Sequence, residues 1–239
     1  MLGKYNFRCL FLISGKHYTL KREIIFTKDG STTVSIPEWK VTYRSIHGAV
    51  LESNHVFIKN GLHYALKKFR EEEINLFEMG FGTGLNAWLT VQEADIHQRK
   101  ICYTTIEQQP LPLAEVQQLN YAGANKRLFD QLHQAPWEQP EPITPFFTLQ
   151  KLQGDLKEWG TTQKFHLIYY DAFAPAAQPE LWTVGIFDKI YPLLQPGGIL
   201  VTYCAKGDVH RAMKAAGFRI TKLAGPPGKR EMLRAEKAL

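Results

Sequence analysis

The sequence of 239 residues has only three cysteines, Cys9, Cys102 and Cys204, and they lie far apart. It has no Cys-x-x-Cys pair and no spacing typical of metal ligands, so we expect neither a disulfide framework nor a bound metal. No apolar run approaches the roughly 18 residues needed to span a bilayer. The apolar run at residues 9–13 is too short for a secretory signal and is soon followed by Lys16. We therefore expect a cytoplasmic protein without a membrane partner.

Two common nucleotide-binding signatures are also missing. The sequence has no Gly-Lys-Ser or Gly-Lys-Thr, which excludes a P-loop. Residues 78–84 read Glu-Met-Gly-Phe-Gly-Thr-Gly, but position 85 is Leu, so the dinucleotide pattern Gly-x-Gly-x-x-Gly fails. A nicotinamide-dependent oxidoreductase is therefore the least favoured function.

The positive charge is concentrated near the end of the sequence. The net charge is +6, and from residue 200 onward nine Lys and Arg stand against three acids, which accounts for the whole excess. Such a basic block beside a catalytic core favours a polyanionic partner. A solvated lysine-rich surface would give the same composition, and charge alone does not separate the two.

Short apolar runs alternate with helical patterns from residue 62 onward. The pattern predicts strands at 74–79, 101–106, 146–152, 165–170, 199–204 and 218–223, helices at 62–73, 85–94, 113–119, 179–194 and 208–216, and a loop at 136–145. This alternation predicts an α/β fold with a doubly wound, mostly parallel sheet. We divide the chain into a leader of unclear order (1–20), a small β-rich extension (21–65) with a hairpin at Asp29-Gly30, and a catalytic domain (66–239).

The glycine segment occupies the position where such sheets bind ligands. Gly80, Gly82 and Gly84 follow the first strand of the expected sheet, and ligands bind at the carboxyl ends of strands. Without a Cβ, glycine lets ligand atoms approach backbone amides. Together with Glu78 and Thr83 the segment has the form usual in S-adenosylmethionine-dependent methyltransferases, although a structural turn can have the same letters.

Three further acids follow successive strands. Glu107, with Gln108 beside it, would accept hydrogen bonds from the ribose hydroxyls of a nucleoside. Asp155, with Leu156, would bind the adenine amino group. Asp171 ends the fourth strand and would lie near the transferable methyl group. Any one such acid is more often a solvated carboxylate in a loop. Together with Glu78, however, four acids stand at the ends of four strands, and this arrangement favours a nucleoside site.

Several motifs give the sequence a resemblance to the methyltransferase module of the MnmC family, including its stand-alone MnmD-like form. The motifs are Phe-Glu-Met-Gly-Phe-Gly-Thr-Gly-Leu-Asn at 77–86, Asp-Ala-Phe-Ala-Pro at 171–175 with Pro-Glu-Leu-Trp at 179–182, and Gly-Lys-Arg-Glu-Met-Leu at 228–233. The resemblance covers roughly residues 25–235. The family usually has Gly where this chain has Ala172, which adds only a methyl group next to Asp171.

The resemblance implies a class I Rossmann-like fold and N-methylation of an aminomethyl group on the wobble uridine of tRNA. S-adenosylmethionine would be the cofactor, and we expect no FAD because the oxidase module of the bifunctional relatives does not follow. Asp171 is the catalytic candidate, and it could act on the acceptor amine or on the methionine part of the cofactor. Phe173 and Pro175 would lie at the acceptor.

The candidate contacts to the anticodon loop are Lys206, Lys229 and Arg230. An alternative for Arg230 is an ion pair with a carboxylate at a strand end. We interpret Trp182 as a core residue. Two rival functions stay open: a small-molecule amine methyltransferase or aminopropyl transferase on the same fold, and a non-catalytic RNA-binding module. The sequence does not indicate an oligomeric state.

Overall fold

A computed structural model describes residues 6–13 and 16–239 of the chain, with side chains from residue 21 onward. The first four strands form an antiparallel sheet in the order β1-β2-β3-β4: β1 (Asn6–Ile13), β2 (Lys16–Phe26), β3 (Thr32–Ile36) and β4 (Val41–Thr42). The expected leader of unclear order is therefore wrong for residues 6–13 and 16–20, which pair as strands. Residues 1–5 and 14–15 lie outside the described part of the chain.

The predicted hairpin is confirmed between β2 and β3, where Phe26 pairs with Thr32. Its turn is held by the carboxylate of Asp29, which accepts hydrogen bonds from Thr27 Oγ1 at 2.6 Å and from the backbone N of Ser31 at 3.1 Å. The other carboxylate oxygen accepts a bond from the backbone N of Leu51 at 3.0 Å. Asp29 thereby fastens the small sheet to the helical segment that follows it.

That helical segment runs from residue 49 to residue 68. It consists of α1 (Ala49–Ser53), a π-helical stretch (Asn54–Leu62) and α2 (His63–Lys68). The expectation of β structure up to residue 65 is wrong here, because a short apolar run does not distinguish a strand from a buried helix. Phe57 packs its ring 5.1 Å from that of Tyr169 in the main sheet, so the segment is buried on that sheet.

The main sheet has eight strands in the order β11-β12-β10-β9-β5-β6-β8-β7. The strands are β5 (Glu73–Met79), β6 (Lys100–Glu107), β7 (Pro140–Thr144), β8 (Phe147–Gln153), β9 (Phe165–Tyr170), β10 (Leu194–Thr202), β11 (Arg219–Ala224) and β12 (Glu231–Glu236). The five strands from β10 to β8 pair in parallel, whereas β7 and β12 run antiparallel to their neighbours. The predicted α/β fold with a mostly parallel sheet is confirmed.

Helices cover both faces of this sheet. They are α3 (Leu85–His97), α4 (Leu113–Val116), α5 (Lys126–Gln134), α6 (Val184–Ile190) and α7 (Gly207–Ala215). Every residue of β9 is buried, as expected for a central parallel strand covered on both faces. In the described part of the chain, no helix is long and apolar enough to cross a membrane.

Several predicted boundaries are wrong for local reasons. The expected loop at 136–145 contains β7, which tolerates its prolines because it lies at the sheet edge. The helix expected at 113–119 is shorter in the structure, where α4 ends at Val116. Helix α5 was not predicted. The helix expected at 179–194 is interrupted at Thr183, whose extended backbone and side-chain hydroxyl cap the start of α6. The helix expected at 62–73 ends at Lys68.

Candidate active site

A cavity of about 870 Å³ lies at the carboxyl ends of β5, β6, β8 and β9, within the size range of small-molecule sites. Its walls combine these strand ends with residues that follow β3 of the N-terminal sheet. The lining residues are Trp39, Tyr43, Arg44, Met79, Gly80, Gly82, Ile106, Glu107, Gln108, Gln109, Gly154, Asp155, Leu156, Lys157, Asp171, Ala172, Phe173, Ala176, Ala177, Gln178, Glu180 and Leu181.

Two of the three loop glycines lie on the cavity wall. Gly80 and Gly82 have positive φ angles of 90° and 50°, and a Cβ on Gly82 would lie 3.2 Å from Tyr43 Cδ1. Gly84 faces the other way, where a Cβ would lie 2.6 Å from His133 Nε2. Thr83 is fully buried and is not among the residues that line the cavity. Only the first two glycines therefore reach the cavity. At position 84 a side chain would clash with His133, so close packing requires glycine there.

Glu78 is fully buried behind the glycine loop rather than on the cavity wall. Its carboxyl oxygens accept hydrogen bonds from Asn86 Nδ2 at 3.0 Å and from Thr105 Oγ1 at 3.1 Å. Burial raises the pKa of Glu78 to about 8, so most of this carboxyl is protonated at neutral pH. In this position Glu78 links Asn86 in α3 to Thr105 in β6.

Glu107 and Asp155 lie on the cavity wall, as the sequence predicted, with Gln108 and Leu156 beside them. Glu107 Oε2 accepts a hydrogen bond from the backbone N of Gly82 at 3.0 Å, which links the end of β6 to the glycine loop. Asp155 accepts a bond from the backbone N of Lys157 at 2.8 Å. Both carboxylates are thus held by backbone amides and have lone pairs left for a ligand.

Asp171 at the end of β9 forms an ion pair with Arg44, and both side chains are almost closed to solvent. Asn86 Nδ2 also donates to Asp171 Oδ2, at 2.9 Å. Burial raises the pKa of Asp171 to about 6, although the Arg44 charge and the Asn86 hydrogen bond act to lower it. Sequence reasoning missed Arg44, because a single arginine after a short strand carries no recognisable pattern.

Asn86, in the first turn of α3, connects the two buried carboxyls through its amide nitrogen. Its Oδ1 is buried and has no hydrogen-bond partner among the described residues. An unpaired buried acceptor is costly, and Asn86 itself is not among the residues that line the cavity. The motif at 77–86 includes Asn86, but sequence reasoning gave it no role.

Aromatic rings line one wall of the cavity. Tyr43 and Phe173 meet edge to face with their centroids 5.0 Å apart. The loop that carries Phe173 is held by Trp182 Nε1, which donates to the Phe173 carbonyl at 2.8 Å. Trp182 is buried, which confirms its interpretation as a core residue. Pro175 is not among the residues that line the cavity.

The three candidate tRNA contacts differ in their surroundings. Lys229 forms an ion pair with the buried Glu52, and its Nζ lies 3.8 Å from the centroid of the Tyr203 ring. Lys206 and Arg230 are exposed, and Arg230 forms no ion pair within the described residues, contrary to the alternative considered for it. Two exposed cations are therefore available to a polyanion, whereas the charge of Lys229 is neutralised within the protein.

The α/β fold and the cavity at the strand ends fit a class I S-adenosylmethionine-dependent methyltransferase, and the matches to known proteins identify this class. Residues 146–238 match the family described as "S-adenosyl-L-methionine-dependent methyltransferase". The crystal structure of MnmC2 from Aquifex aeolicus superposes with a TM-score of 0.74 at 22% identity, covering 91% of this chain and 71% of that one. Spermidine synthase from Thermotoga maritima shares the fold, with a TM-score of 0.55 and 11% identity over 98% of this chain and 79% of that one.

Curated relatives define the family more narrowly. The "tRNA 5-methylaminomethyl-2-thiouridine biosynthesis bifunctional protein MnmC" of Aeromonas salmonicida is 30% identical over 82% of this chain, and that of Burkholderia mallei is 30% identical over 90%. These matches cover 32% and 35% of the relatives, so the chain spans about a third of their length. The chain is homologous to the methyltransferase domain of the MnmC proteins.

Proposed function

We propose that this protein transfers a methyl group from S-adenosylmethionine to the primary amine of 5-aminomethyluridine, or its 2-thio form, at the wobble position of tRNA. The observation that carries the proposal is the position of Asp171. Its buried carboxylate opens on a cavity whose other walls are the glycine loop and Glu107. The name of the MnmC relatives, which refers to 5-methylaminomethyl-2-thiouridine in tRNA, supports the choice of acceptor.

The cavity wall suits the cofactor residue by residue. Glu107 would accept hydrogen bonds from the ribose hydroxyls, and Asp155 would bind the adenine amino group with Leu156 against the ring. Gly80 and Gly82 would let the cofactor lie against the backbone, since a side chain at either position would extend from a strained, positive φ. When bound, S-adenosylmethionine supplies a methyl group that its sulfonium charge already activates.

Asp171 would prepare the acceptor amine. A free alkyl amine has a pKa near that of lysine, about 10.4, so it arrives protonated and cannot act as a nucleophile. The Asp171 carboxylate would bind the ammonium and take its proton, while the nearby positive charge of Arg44 disfavours the charged amine. The deprotonated nitrogen would then have a free lone pair facing the methyl group that the bound cofactor would supply.

The walls around Asp171 would hold the acceptor base in place. Tyr43 and Phe173 offer ring faces and edges on which a uracil could stack, as single-stranded bases do in other RNA complexes. Fixing the base aligns the amine for in-line displacement and excludes water from the reacting atoms.

The exposed cations Lys206 and Arg230 would contact phosphates of the anticodon loop. The substrate also supports a cytoplasmic location, where mature tRNA is used. The rival small-molecule amine chemistry would not need these cations. We disfavour it because the spermidine synthase structures share only the fold, at low sequence identity.

A methylation assay with isolated tRNA tests the proposal. The purified chain and S-adenosylmethionine are incubated with tRNA that carries 5-aminomethyl-2-thiouridine, and digested nucleosides are analysed by mass spectrometry. We expect the aminomethyl nucleoside to gain one CH₂ unit. Spermidine and putrescine serve as competing acceptors in the same assay. Methylation of the polyamines without modification of the tRNA would favour the rival function, and no transfer to either would contradict both.

A further inference from the structure

A cluster of two histidines and a glutamate joins α2 and α3 outside the methyl-transfer cavity. His63 is the first residue of α2, whereas Glu93 and His97 lie one turn apart on the same face of α3. Glu93 Oε2 lies 2.5 Å from His63 Nε2 and 3.3 Å from His97 Nε2. None of these three residues lines the cavity described above.

We propose that His63, Glu93 and His97 bind a divalent transition-metal ion, with Zn²⁺ as the best fit. One ligand atom from each residue can be chosen so that all three lie within 4.8 Å of one another. Tetrahedral zinc with bonds of about 2.0–2.1 Å places its ligand atoms roughly 3.4 Å apart. The three atoms therefore need shifts of about 1 Å or less to surround one ion.

The donor set determines the class of metal. Two imidazole nitrogens and one carboxylate oxygen suit zinc, copper or nickel, whereas magnesium and calcium prefer oxygen ligands alone. Three protein ligands leave a fourth position open. The side chains of His63 and His97 are 37% and 45% exposed, so an ion could enter from solvent and water could complete the coordination.

The position of the cluster indicates a structural role. α2 ends the helical segment that packs on β9 and β10, and α3 begins directly after the glycine loop. A metal ion held by both helices would lock the second half of α3 to the preceding segment. Because the cluster lies apart from the cavity, the metal would add stability without taking part in methyl transfer.

The spacing of these three residues in the sequence does not indicate a metal site, and no bound metal was expected. Glu93 and His97 are four residues apart, but His63 lies 30 residues before Glu93 in the chain. Without a metal, Glu93 forms a hydrogen bond with His63 and an ion-pair contact with His97. That arrangement is the competing explanation, and the experiment below distinguishes it.

The test uses the full chain without an affinity tag, stripped of metal by chelation and titrated with Zn²⁺ by calorimetry. We expect saturable uptake of one Zn²⁺ per chain and a melting temperature that rises with the Zn²⁺ concentration. His97→Asn and His63→Asn should each weaken binding by about tenfold or more. His210→Asn, which changes a histidine outside the cluster, is the matched control and should bind as the unmodified chain does.

Glu93→Gln is a second variant, for use if the histidine variants do not fold. It keeps a hydrogen-bond acceptor between the histidines and should therefore fold. Co²⁺ substitution gives an absorption spectrum that reports tetrahedral coordination directly. Absence of saturable binding to the unmodified chain, or equal binding by the His97→Asn and control proteins, would overturn the proposal. Methyl transfer measured on the metal-stripped protein separates this result from the proposed function, since we expect it to be retained.

Discussion

Arg44 and Asp171 form an ion pair in which the two side chains are only 3% and 6% exposed. Arg44 follows β4 of the small N-terminal sheet, whereas Asp171 directly follows β9, a central strand of the main sheet. This carboxylate on the cavity wall is thus partnered by a residue from the segment that follows the other sheet. The N-terminal part of the chain therefore contributes a charged side chain to the cavity in addition to covering it.

Asp171→Asn should abolish most methyl transfer. Asparagine keeps the shape but cannot accept the ammonium proton, so we expect kcat/KM to fall by about 100-fold or more. Calorimetry with S-adenosylmethionine separates the two possible roles of Asp171. Retained cofactor affinity would assign Asp171 to the amine, and lost affinity would assign it to the cofactor.

The thermal melt must be recorded for the same variant, because Arg44 would be left buried without its partner. Breaking a buried ion pair costs roughly 3–5 kcal/mol. Full activity of Asp171→Asn would remove this residue from either role.

Arg44→Met should move the acid limb of the pH–rate profile. Asp171 must be ionised to take a proton, so activity should fall as the pH drops through its pKa of about 6. The Arg44 charge lowers that pKa, and its removal should therefore shift the limb to higher pH. Arg44→Lys keeps the charge and should shift it less. Identical profiles for all three proteins would mean that Asp171 does not set the limb.

Gly82→Ala should weaken the binding of S-adenosylmethionine. The residue has a φ of 50°, and the new Cβ would lie 3.2 Å from Tyr43 Cδ1 beside the cavity. We expect a loss of affinity of about tenfold, which corresponds to about 1.4 kcal/mol. Gly160→Ala is the matched control, since a Cβ there meets nothing within 4 Å. Equal affinities in the two variants would exclude Gly82 from the cofactor site.

Asp29→Asn should reduce the stability of the protein in a pH-dependent way. Burial tends to raise the pKa of Asp29, but hydrogen bonds from Ser31, Thr27 and Leu51 outweigh it and lower the pKa from 3.8 to about 2. The stabilisation is therefore complete above about pH 4 and is lost as the pH falls towards 2. Because Asp29 is only half-buried, we expect a difference of roughly 1–2 kcal/mol at neutral pH.

Urea unfolding between pH 2 and pH 7 measures this effect. Asp130→Asn is a suitable control, since Asp130 forms an i,i+4 ion pair on the exposed side of α5. Such pairs contribute only about 0.3–0.5 kcal/mol. A constant difference between Asp29→Asn and the unmodified chain over this pH range would contradict the assigned pKa.

The double variant Lys206→Ala with Arg230→Ala should bind tRNA more weakly and with a smaller salt dependence. Each lost phosphate contact reduces the slope of log affinity against log salt by about 0.7–0.9. Lys100→Ala is the control, because Lys100 is exposed at the amino end of β6, at the opposite end of the strand from the cavity. If both proteins show the slope of the unmodified chain, the tRNA contacts lie elsewhere.

Local signals in the sequence were enough to place most of the cavity wall. Gly80, Gly82, Glu107 and Asp155 follow apolar strands directly, and the parallel sheet then brings strand ends together whatever the details of the helices. Glu78 was expected to contact the cofactor, but its side chain is fully buried and does not line the cavity. Successive side chains of a strand point to opposite faces, and that of Glu78 points into the core.

Other features depend on contacts between distant parts of the chain. Arg44 meets Asp171 across 127 residues, and no local pattern marks it as a partner. The helical segment at 49–68 was interpreted as β structure up to residue 65, because its apolar run fits either periodicity until the sheet against which it packs is known. The pairing of Lys229 with Glu52 likewise has no local signal, because the two residues are 177 positions apart in the sequence.

The strand order has a consequence for how the protein is made. β12 lies between β10 and β11, although it is synthesised after both. While the chain emerges from the ribosome, β11 has no neighbour with which to pair, and the exposed edge of β10 stays open. Completion of the sheet must therefore wait until residues 231–236 are translated, and this interval is when a nascent chain would be most prone to associate with others.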